Sequence, residues 1–109
     1  MERKNMHVTV ELCLVPMGVG VSVSEYVGAC ERVLREAGFD PELHAYGTNF
    51  EGEFDDCMAA VRQCHEVVHD MGVPRIFTSL KLGTRTDRMQ TLTEKVASVR
   101  AFRNGPRPV

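Results

Sequence analysis

The order in which two apolar patterns follow each other limits the folds open to this chain. Residues 7–15 and 75–82 carry apolar side chains at every second position, which is the period of a half-buried β-strand. Residues 23–37 and 54–71 carry them three and four positions apart, which is the period of a helix with one buried face. Between these helices, residues 43–53 are predicted to form an extended hairpin. The chain therefore reads strand, helix, two strands, helix, strand.

This order is that of the split βαβ motif, and it predicts an α+β, ferredoxin-like βαββαβ domain with a four-stranded antiparallel sheet. A further apolar stripe predicts an additional C-terminal helix, and its members are Met89, Leu92, Val96, Val99 and Phe102. We expect a single domain over residues 6–103 of the 109. Residues 1–5 are expected to form a disordered N-terminal extension, and residues 104–109 a disordered tail.

Short polar signals predict where the helices and the hairpin begin and end. Residues 22–25 and 91–94 have the form Ser/Thr-x-x-Glu, the capping box in which two side chains satisfy each other's backbone N–H groups. Val21 is placed to pack against Tyr26 across the first of these helix starts. Gly38 is placed to end the first long helix in a left-handed conformation. The hairpin is expected to turn near Gly47.

Strand alternation predicts two unlike faces for the sheet. In this fold the two long helices cover one face, and we expect that face to carry Val8, Val10, Leu12, Leu14, Ile76, Leu80 and Leu82. The opposite face is expected to carry His7, Thr9, Glu11, Cys13, Phe77, Ser79 and Lys81. Glu11 and Lys81 are predicted to pair across adjacent strands. Such a mixed face favours cover by the last helix or a second subunit, or a small-ligand site.

Bulk properties exclude several classes of protein. A net charge of -2 and a pI near 6.1 argue against a nucleic-acid partner, which requires a basic face. No apolar run approaches the ~20 residues needed to span a membrane, and no secretory signal pattern is present. The cysteines show no C-x-x-C spacing, so we expect four buried, reduced thiols and a cytoplasmic location. No cofactor is indicated.

Residues 65–69 match the H-E-x-x-H pattern of zinc-dependent hydrolases. On a helix, His65 and His69 fall one turn apart, with Glu66 as the potential general base. The helical wheel places Glu66 towards solvent, and no third ligand follows at the usual downstream positions. A metal-dependent hydrolase is therefore a rival hypothesis with weak support, and solvated residues flanking the buried stripe are the simpler interpretation.

Three segments carry a resemblance to a known family. Residues 46–52 read Tyr-Gly-Thr-Asn-Phe-Glu-Gly, residues 15–20 read Val-Pro-Met-Gly-Val-Gly, and residues 75–81 read Arg-Ile-Phe-Thr-Ser-Leu-Lys. Further matching pieces follow in order, and they are residues 22–27, His65, Lys95-Val96 and Val99. In this order and spacing, residues 6–102 resemble the thiamine-binding-protein family (YkoF-like, UPF0045-type).

The resemblance implies that the chain binds thiamine, or its hydroxymethylpyrimidine half, without turnover. It also implies self-association into dimers or tetramers, with sheets pairing edge to edge. The residues that it suggests for ligand binding are Glu11, Ser22, Tyr26, Gly47, Thr48, Phe50, Glu51, Gly52, Ser79 and Lys81. Carboxylates would accept from the pyrimidine amine, hydroxyls would donate or accept, and aromatic rings would stack.

This hypothesis predicts that Glu51→Gln weakens ligand binding by roughly 1–3 kcal/mol and leaves the melting temperature of the ligand-free protein nearly unchanged. A rival hypothesis from another class is a purely structural or regulatory homo-oligomer, in which the open sheet face serves only as an interface.

Overall fold

A computed structural model describes residues 5–105 as a four-stranded antiparallel sheet with two long helices on one face and the start of a short C-terminal helix at the other. The elements, in chain order, are β1 (His7–Met17), α1 (Ser24–Glu36), β2 (Glu42–His44), β3 (Gly47–Glu53), α2 (Phe54–Asp70), β4 (Arg75–Gly83) and α3 (Leu92–Arg100). This confirms the predicted α+β, βαββαβ arrangement with an added C-terminal helix. Residues 1–4 and 106–109 lie outside the described residues, so the disorder predicted for residues 1–5 and 104–109 stays a prediction. Residues 101–104 form a turn.

The strand order β2-β3-β1-β4 places β1 in the middle of the sheet. β1 pairs antiparallel with both neighbours, so that Glu11 stands opposite Asn49 on β3 and opposite Lys81 on β4. β2 and β3 form a hairpin in which His44 stands opposite Gly47. The turn therefore occupies residues 45–46, just before the predicted position. This register brings polar side chains of all four strands onto the same face.

The face covered by α1 and α2 holds the core. The four predicted β1 positions are buried, and they are Val8, Val10, Leu12 and Leu14. The helices contribute Cys30, Val33, Leu34, Cys57, Cys64 and Val68. Phe50 of β3 is 1% exposed and meets Phe39 edge to face, with ring centroids 5.2 Å apart. The prediction that Leu82 lies in this core is wrong, because its side chain is 45% exposed. Of the predicted β4 positions, only Ile76 and Leu80 pack against the core.

The helix ends follow the sequence signals in part. Thr91 and Glu94 form the predicted capping box at α3, and Gly38 ends α1 at φ +93°, where its N–H donates to Arg35 and the next N–H to Leu34. The box predicted at residues 22–25 is wrong. Val23 occupies the N-cap position with ψ near 1°, outside the extended region in which a capping side chain reaches the first turn.

The predicted packing of Val21 against Tyr26 is wrong as well, because the Val21 side chain is fully exposed. The segment before α1 thus leaves the sheet without either of the stabilising contacts that its sequence suggested. Ser22, also exposed, belongs to this same loop.

α3 differs from the other two helices because it contains no buried residue. Its first turn reaches the sheet, where the Leu92 N–H donates to Glu51 at 2.9 Å. Along the predicted apolar stripe, Met89, Val96 and Val99 are exposed. Among residues 5–105, no helix combines the length and the apolar character needed to cross a bilayer.

Candidate functional site

Four polar side chains converge on the sheet face opposite α1 and α2. We call them the open-face cluster: Glu11, His44, Asn49 and Lys81. The His44 Nε2 lies 3.0 Å from Asn49 Oδ1 and 3.4 Å from Glu11 Oε2. The other Glu11 oxygen lies 3.6 Å from Lys81 Nζ, which confirms the predicted pair. The cluster thus offers a carboxylate, an amide and a cation within one small area.

The β2–β3 hairpin positions His44 in this cluster. The Tyr46 backbone N–H donates to His44 Nδ1 at 3.4 Å, so the neutral ring carries its hydrogen on Nε2 and donates towards Asn49. Gly47 lets the hairpin approach β1, since a Cβ there would lie 2.9 Å from the Leu12 carbonyl oxygen. Gly47 therefore shapes the cluster through the backbone.

Glu51 lies on the same face and joins three elements. Its Oε2 accepts from His7 Nε2 of β1 at 3.0 Å and from the Leu92 N–H of α3 at 2.9 Å. A carboxylate at the first turn of a helix is also stabilised by the helix dipole. Glu51 is therefore a structural anchor for α3 in the ligand-free chain. The expectation that Glu51→Gln leaves this state unchanged is replaced by an expected loss of stability.

Two neighbouring depressions lie on the open face of the sheet. The polar groove, of about 200 Å³, has Glu11, Asn49, Lys81 and Leu92 in its walls. The basic pocket, of about 360 Å³, lies beside it, and its walls include His7, Thr84, Arg85, Arg88 and Met89. The two depressions share Thr9, Gly83 and Lys95. One ligand can therefore contact both.

A third depression lies between α1 and the hairpin. This apolar cavity, of about 410 Å³, includes Leu12, Val27, Leu43, Tyr46 and Glu31 among its wall residues. Glu31 is its carboxylate, and it pairs with Arg35 at 3.1 Å. The cavity is an alternative position for a flat ring, because it combines an apolar wall with a few polar groups.

The structure divides the sequence-predicted binding residues between the two faces. Those on the open face are Glu11, Gly47, Glu51, Ser79 and Lys81. Thr48, Phe50 and Gly52 point the other way, because neighbouring residues of a strand face opposite sides. Phe50 is a core side chain with no free face for stacking, Thr48 is 6% exposed, and Gly52 closely approaches Phe39. Ser22 and Tyr26 lie at the start of α1, apart from the open-face cluster.

Sequence reasoning missed His44 and Asn49. The signal for Asn49 was present, because it alternates with Gly47 and Glu51 along the same strand. No comparable signal marked His44, since β2 is only three residues long and carries no clear period. Its face became visible only through the turn that joins it to β3.

The side chains of the H-E-x-x-H segment are engaged elsewhere. His65 Nε2 lies 2.7 Å from the Thr78 hydroxyl, and His69 Nδ1 donates to the Val73 carbonyl at 2.7 Å. Glu66 pairs with Arg62 at 3.4 Å on the solvent side, as the wheel predicted. Among residues 5–105, no three His, Cys, Asp or Glu side chains are grouped to hold a metal ion.

Comparison with known proteins gives consistent matches over most of the chain. The family model described as "Thiamine-binding protein" matches residues 10–100. A UPF0045 protein of Synechocystis is 59% identical over 99 residues, covering 91% of this chain and 82% of the relative. A UPF0045 protein of Eremothecium gossypii is 42% identical over 92 residues, covering 84% and 88%.

Two solved structures share the fold of this chain. A protein of Methanocaldococcus jannaschii has a TM-score of 0.82 at 32% identity, covering 87% of this chain and 97% of its own. A Thermotoga maritima protein, named for a proposed role in thiamine biosynthesis or salvage, shares the fold with a TM-score of 0.73 at 23% identity, covering 86% and 99%. On the family model and these sequence relatives, the chain belongs to the thiamine-binding protein family.

Proposed function

We propose that this protein binds thiamine, or its hydroxymethylpyrimidine half, in the polar groove and performs no chemistry on it. The observation that carries the proposal is the open-face cluster, in which a carboxylate, an amide and a cation from different strands face one depression. The family to which the chain belongs supports the choice of ligand. Among the predicted binding residues, Glu11 and Lys81 line the polar groove. We keep with them Gly47, Glu51 and Ser79 of the same sheet face, of which Glu51 also anchors α3.

The chemistry of an aminopyrimidine suits this cluster. Its exocyclic amine donates hydrogen bonds, and its ring nitrogens accept them. In the proposed complex Glu11 accepts from the amine, while the Asn49 amide nitrogen and the Lys81 ammonium donate to the ring. Glu11 is half-buried, which strengthens its hydrogen bonds relative to those of a fully hydrated carboxylate. Lys81 is largely exposed, so it can move aside to admit the ring.

We further propose that a second copy of the chain covers part of the open face, in a cytoplasmic dimer or tetramer. Val15, Met17 and Phe77 are exposed side by side on β1 and β4, and grouped apolar side chains of this kind are typical of interaction surfaces. β4 is an edge strand of nine residues, whose free side can pair with another strand. Val96 and Val99 of α3 add a second exposed apolar stripe.

The decisive test is titration calorimetry of thiamine and hydroxymethylpyrimidine against the wild-type protein and Glu11→Gln. Loss of a charge-assisted hydrogen bond costs about 1–3 kcal/mol, so we expect affinity for both compounds to fall by roughly 5- to 150-fold. Glu31→Gln is the matched control, because Glu31 is a half-buried carboxylate of the apolar cavity. If Glu31→Gln abolishes binding and Glu11→Gln does not, the ligand occupies the apolar cavity instead of the polar groove.

Native mass spectrometry of the untagged protein distinguishes this proposal from a purely structural or regulatory oligomer. We expect dimers or tetramers that retain a small organic molecule or acquire one on addition of hydroxymethylpyrimidine. An assembly that binds neither compound at millimolar concentration would contradict the proposed function and favour the structural role.

A further inference from the structure

The basic pocket concentrates positive charge next to the proposed ligand groove. Its walls come from the start of β1, the end of β4, the segment that follows β4, and α3. Arg85, Arg88 and Lys95 supply long cationic side chains, and Thr84 and Thr86 supply hydroxyl donors. At about 360 Å³, the pocket lies within the size range of small-ligand sites.

Local partners neutralise some of these charges but not all of them. Arg85 binds Asp87 through two hydrogen bonds of 2.6 and 2.7 Å and donates to Gln90 at 2.8 Å. Hydrogen bonding to Arg85 lowers the pKa of Asp87 to about 2, so this pair is fully ionised at neutral pH. His7 is already paired with Glu51. Arg85 and His7 therefore shape the wall without leaving excess charge.

Arg88 and Lys95 carry the excess charge. Neither forms an ion pair with another residue in the range 5–105. Two like charges facing one cavity repel each other, and an anion placed between them removes that repulsion. The N-terminus of α3 does not serve this purpose, because its first N–H groups already donate to Glu51, Glu94 and Thr91.

We propose that the basic pocket binds the phosphate group of a phosphorylated aminopyrimidine whose ring lies in the polar groove. This inference rests on the proposed function and specifies the ligand class for the same site. Thr9, Gly83 and Lys95 form the boundary between the two depressions, so a phosphate linked to the ring by a short methylene bridge reaches from one into the other. Arg88 and Lys95 supply charge-assisted hydrogen bonds to the phosphate oxygens.

Gly83 keeps this boundary narrow. A Cβ at this position would lie 2.8 Å from the Thr9 hydroxyl oxygen, which itself donates to the Gly83 carbonyl at 3.3 Å. A larger side chain would displace the Thr9 hydroxyl and break its hydrogen bond to the Gly83 carbonyl at the point where the two depressions join. The local backbone is thus suited to a ligand that extends across the boundary.

The test compares hydroxymethylpyrimidine with its monophosphate by titration calorimetry at low ionic strength. We expect the wild-type protein to bind the monophosphate at least ~10-fold more tightly, since two charge-assisted contacts are gained. Arg88→Gln should remove most of this preference and leave the affinity for the unphosphorylated compound unchanged, because Arg88 lines only the basic pocket. Arg100→Gln, an equal change of charge in the last turn of α3, is the control and should preserve the preference.

The possible outcomes separate this inference from the function on which it rests. Equal affinity for the two compounds in the wild-type protein, or an unchanged preference in Arg88→Gln, would overturn the phosphate site and leave ring binding intact. Binding of neither compound would overturn the proposed function. In that case, inorganic phosphate could be titrated while the NMR chemical shifts of the backbone amides are recorded. Changes in residues 83–95 that are absent in Arg88→Gln would still support an anion site in the basic pocket.

Discussion

The two faces of the sheet consist of the same strands but differ in the side chains that they present. On the covered face, Phe50 is 1% exposed and packs in the core, whereas on the open face Phe77 is 65% exposed. The covered face gains stability from apolar burial, which is not directional. The open face holds carboxylates and cations in register across strands, which provides direction and chemical selectivity. On the proposed function, stability and ligand recognition can therefore be changed separately by choosing residues of opposite parity on one strand, except at Glu51, which also anchors α3.

The largest contrast is expected between Phe50→Ala and Phe77→Ala. Removing a fully buried phenyl ring leaves a cavity and costs about 3–5 kcal/mol of unfolding free energy. The same change at Phe77 should alter the stability of the single subunit by no more than about 0.5 kcal/mol. Urea unfolding followed by circular dichroism, at several protein concentrations, measures both and separates any contribution from assembly. Equal losses for the two variants would contradict the assignment of the faces.

A smaller effect is expected on the open face at Glu51. Glu51→Gln replaces a charged acceptor shared by His7 and the Leu92 N–H with a neutral one, at a cost of about 1 kcal/mol. Hydrogen exchange should also accelerate in the first turn of α3, since that turn loses its anchor to the sheet. The exposed Glu42, on β2 of the same sheet, gives the control Glu42→Gln. Unchanged exchange in α3 would show that Glu51 does not hold the helix.

The smallest effect is expected from chemical labelling of the cysteines, which lie partly on the open face and partly in the core. Cys13 is half-buried on the open face, whereas Cys30, Cys57 and Cys64 are buried. Burial raises the pKa of Cys57 to about 11. The pKa of Cys64 is raised mainly by a hydrogen bond with Cys30 and to a smaller extent by burial. Both thiols therefore stay protonated at neutral pH. The hydrogen bond with Cys64 lowers the pKa of Cys30, and burial alone protects that thiol from reagents. We expect iodoacetamide to label Cys13 first, with the other three labelled only on unfolding.

Peptide mass spectrometry of the native protein after timed alkylation measures this order. Cys13→Ser should abolish the fast phase without changing the slow one. If a thiol of the covered face reacts as fast as Cys13, the core opens more readily than its packing indicates. Slower labelling of Cys13 at higher protein concentration would place it in the proposed contact between copies.

Strong local patterns predicted most of the fold. The alternation in β1 identified its buried residues, and the three- and four-residue spacing identified the core side of α2. The expected antiparallel pairing of β1 with β4 was enough to predict the contact between Glu11 and Lys81. The start of α1 was mispredicted, because a capping box needs an extended backbone at the N-cap, whereas the N-cap residue is Val23 with ψ near 1°.

The candidate site was predicted less well, for a geometric reason. The resemblance suggested consecutive residues of β3, but consecutive strand residues face opposite sides, so Thr48, Phe50 and Gly52 point to the core side. Asn49 and His44, which complete the cluster, were missed. His44 reaches it through a two-residue turn whose geometry depends on contact with β1.

By itself, the sequence determined the order of elements, the polarity of each sheet face and membership of the family. The order of elements and the polarity of the faces follow from residue periods of two and 3.6, which act over a few neighbouring positions. The family followed from a resemblance in the order and spacing of short segments, and the family model that matches residues 10–100 confirms it. Only the tertiary structure decided that Glu51 anchors α3, that Glu11 meets His44, and that a basic pocket adjoins the polar groove. Each of those contacts joins segments far apart in the chain, and strand order together with loop geometry sets the distance between them.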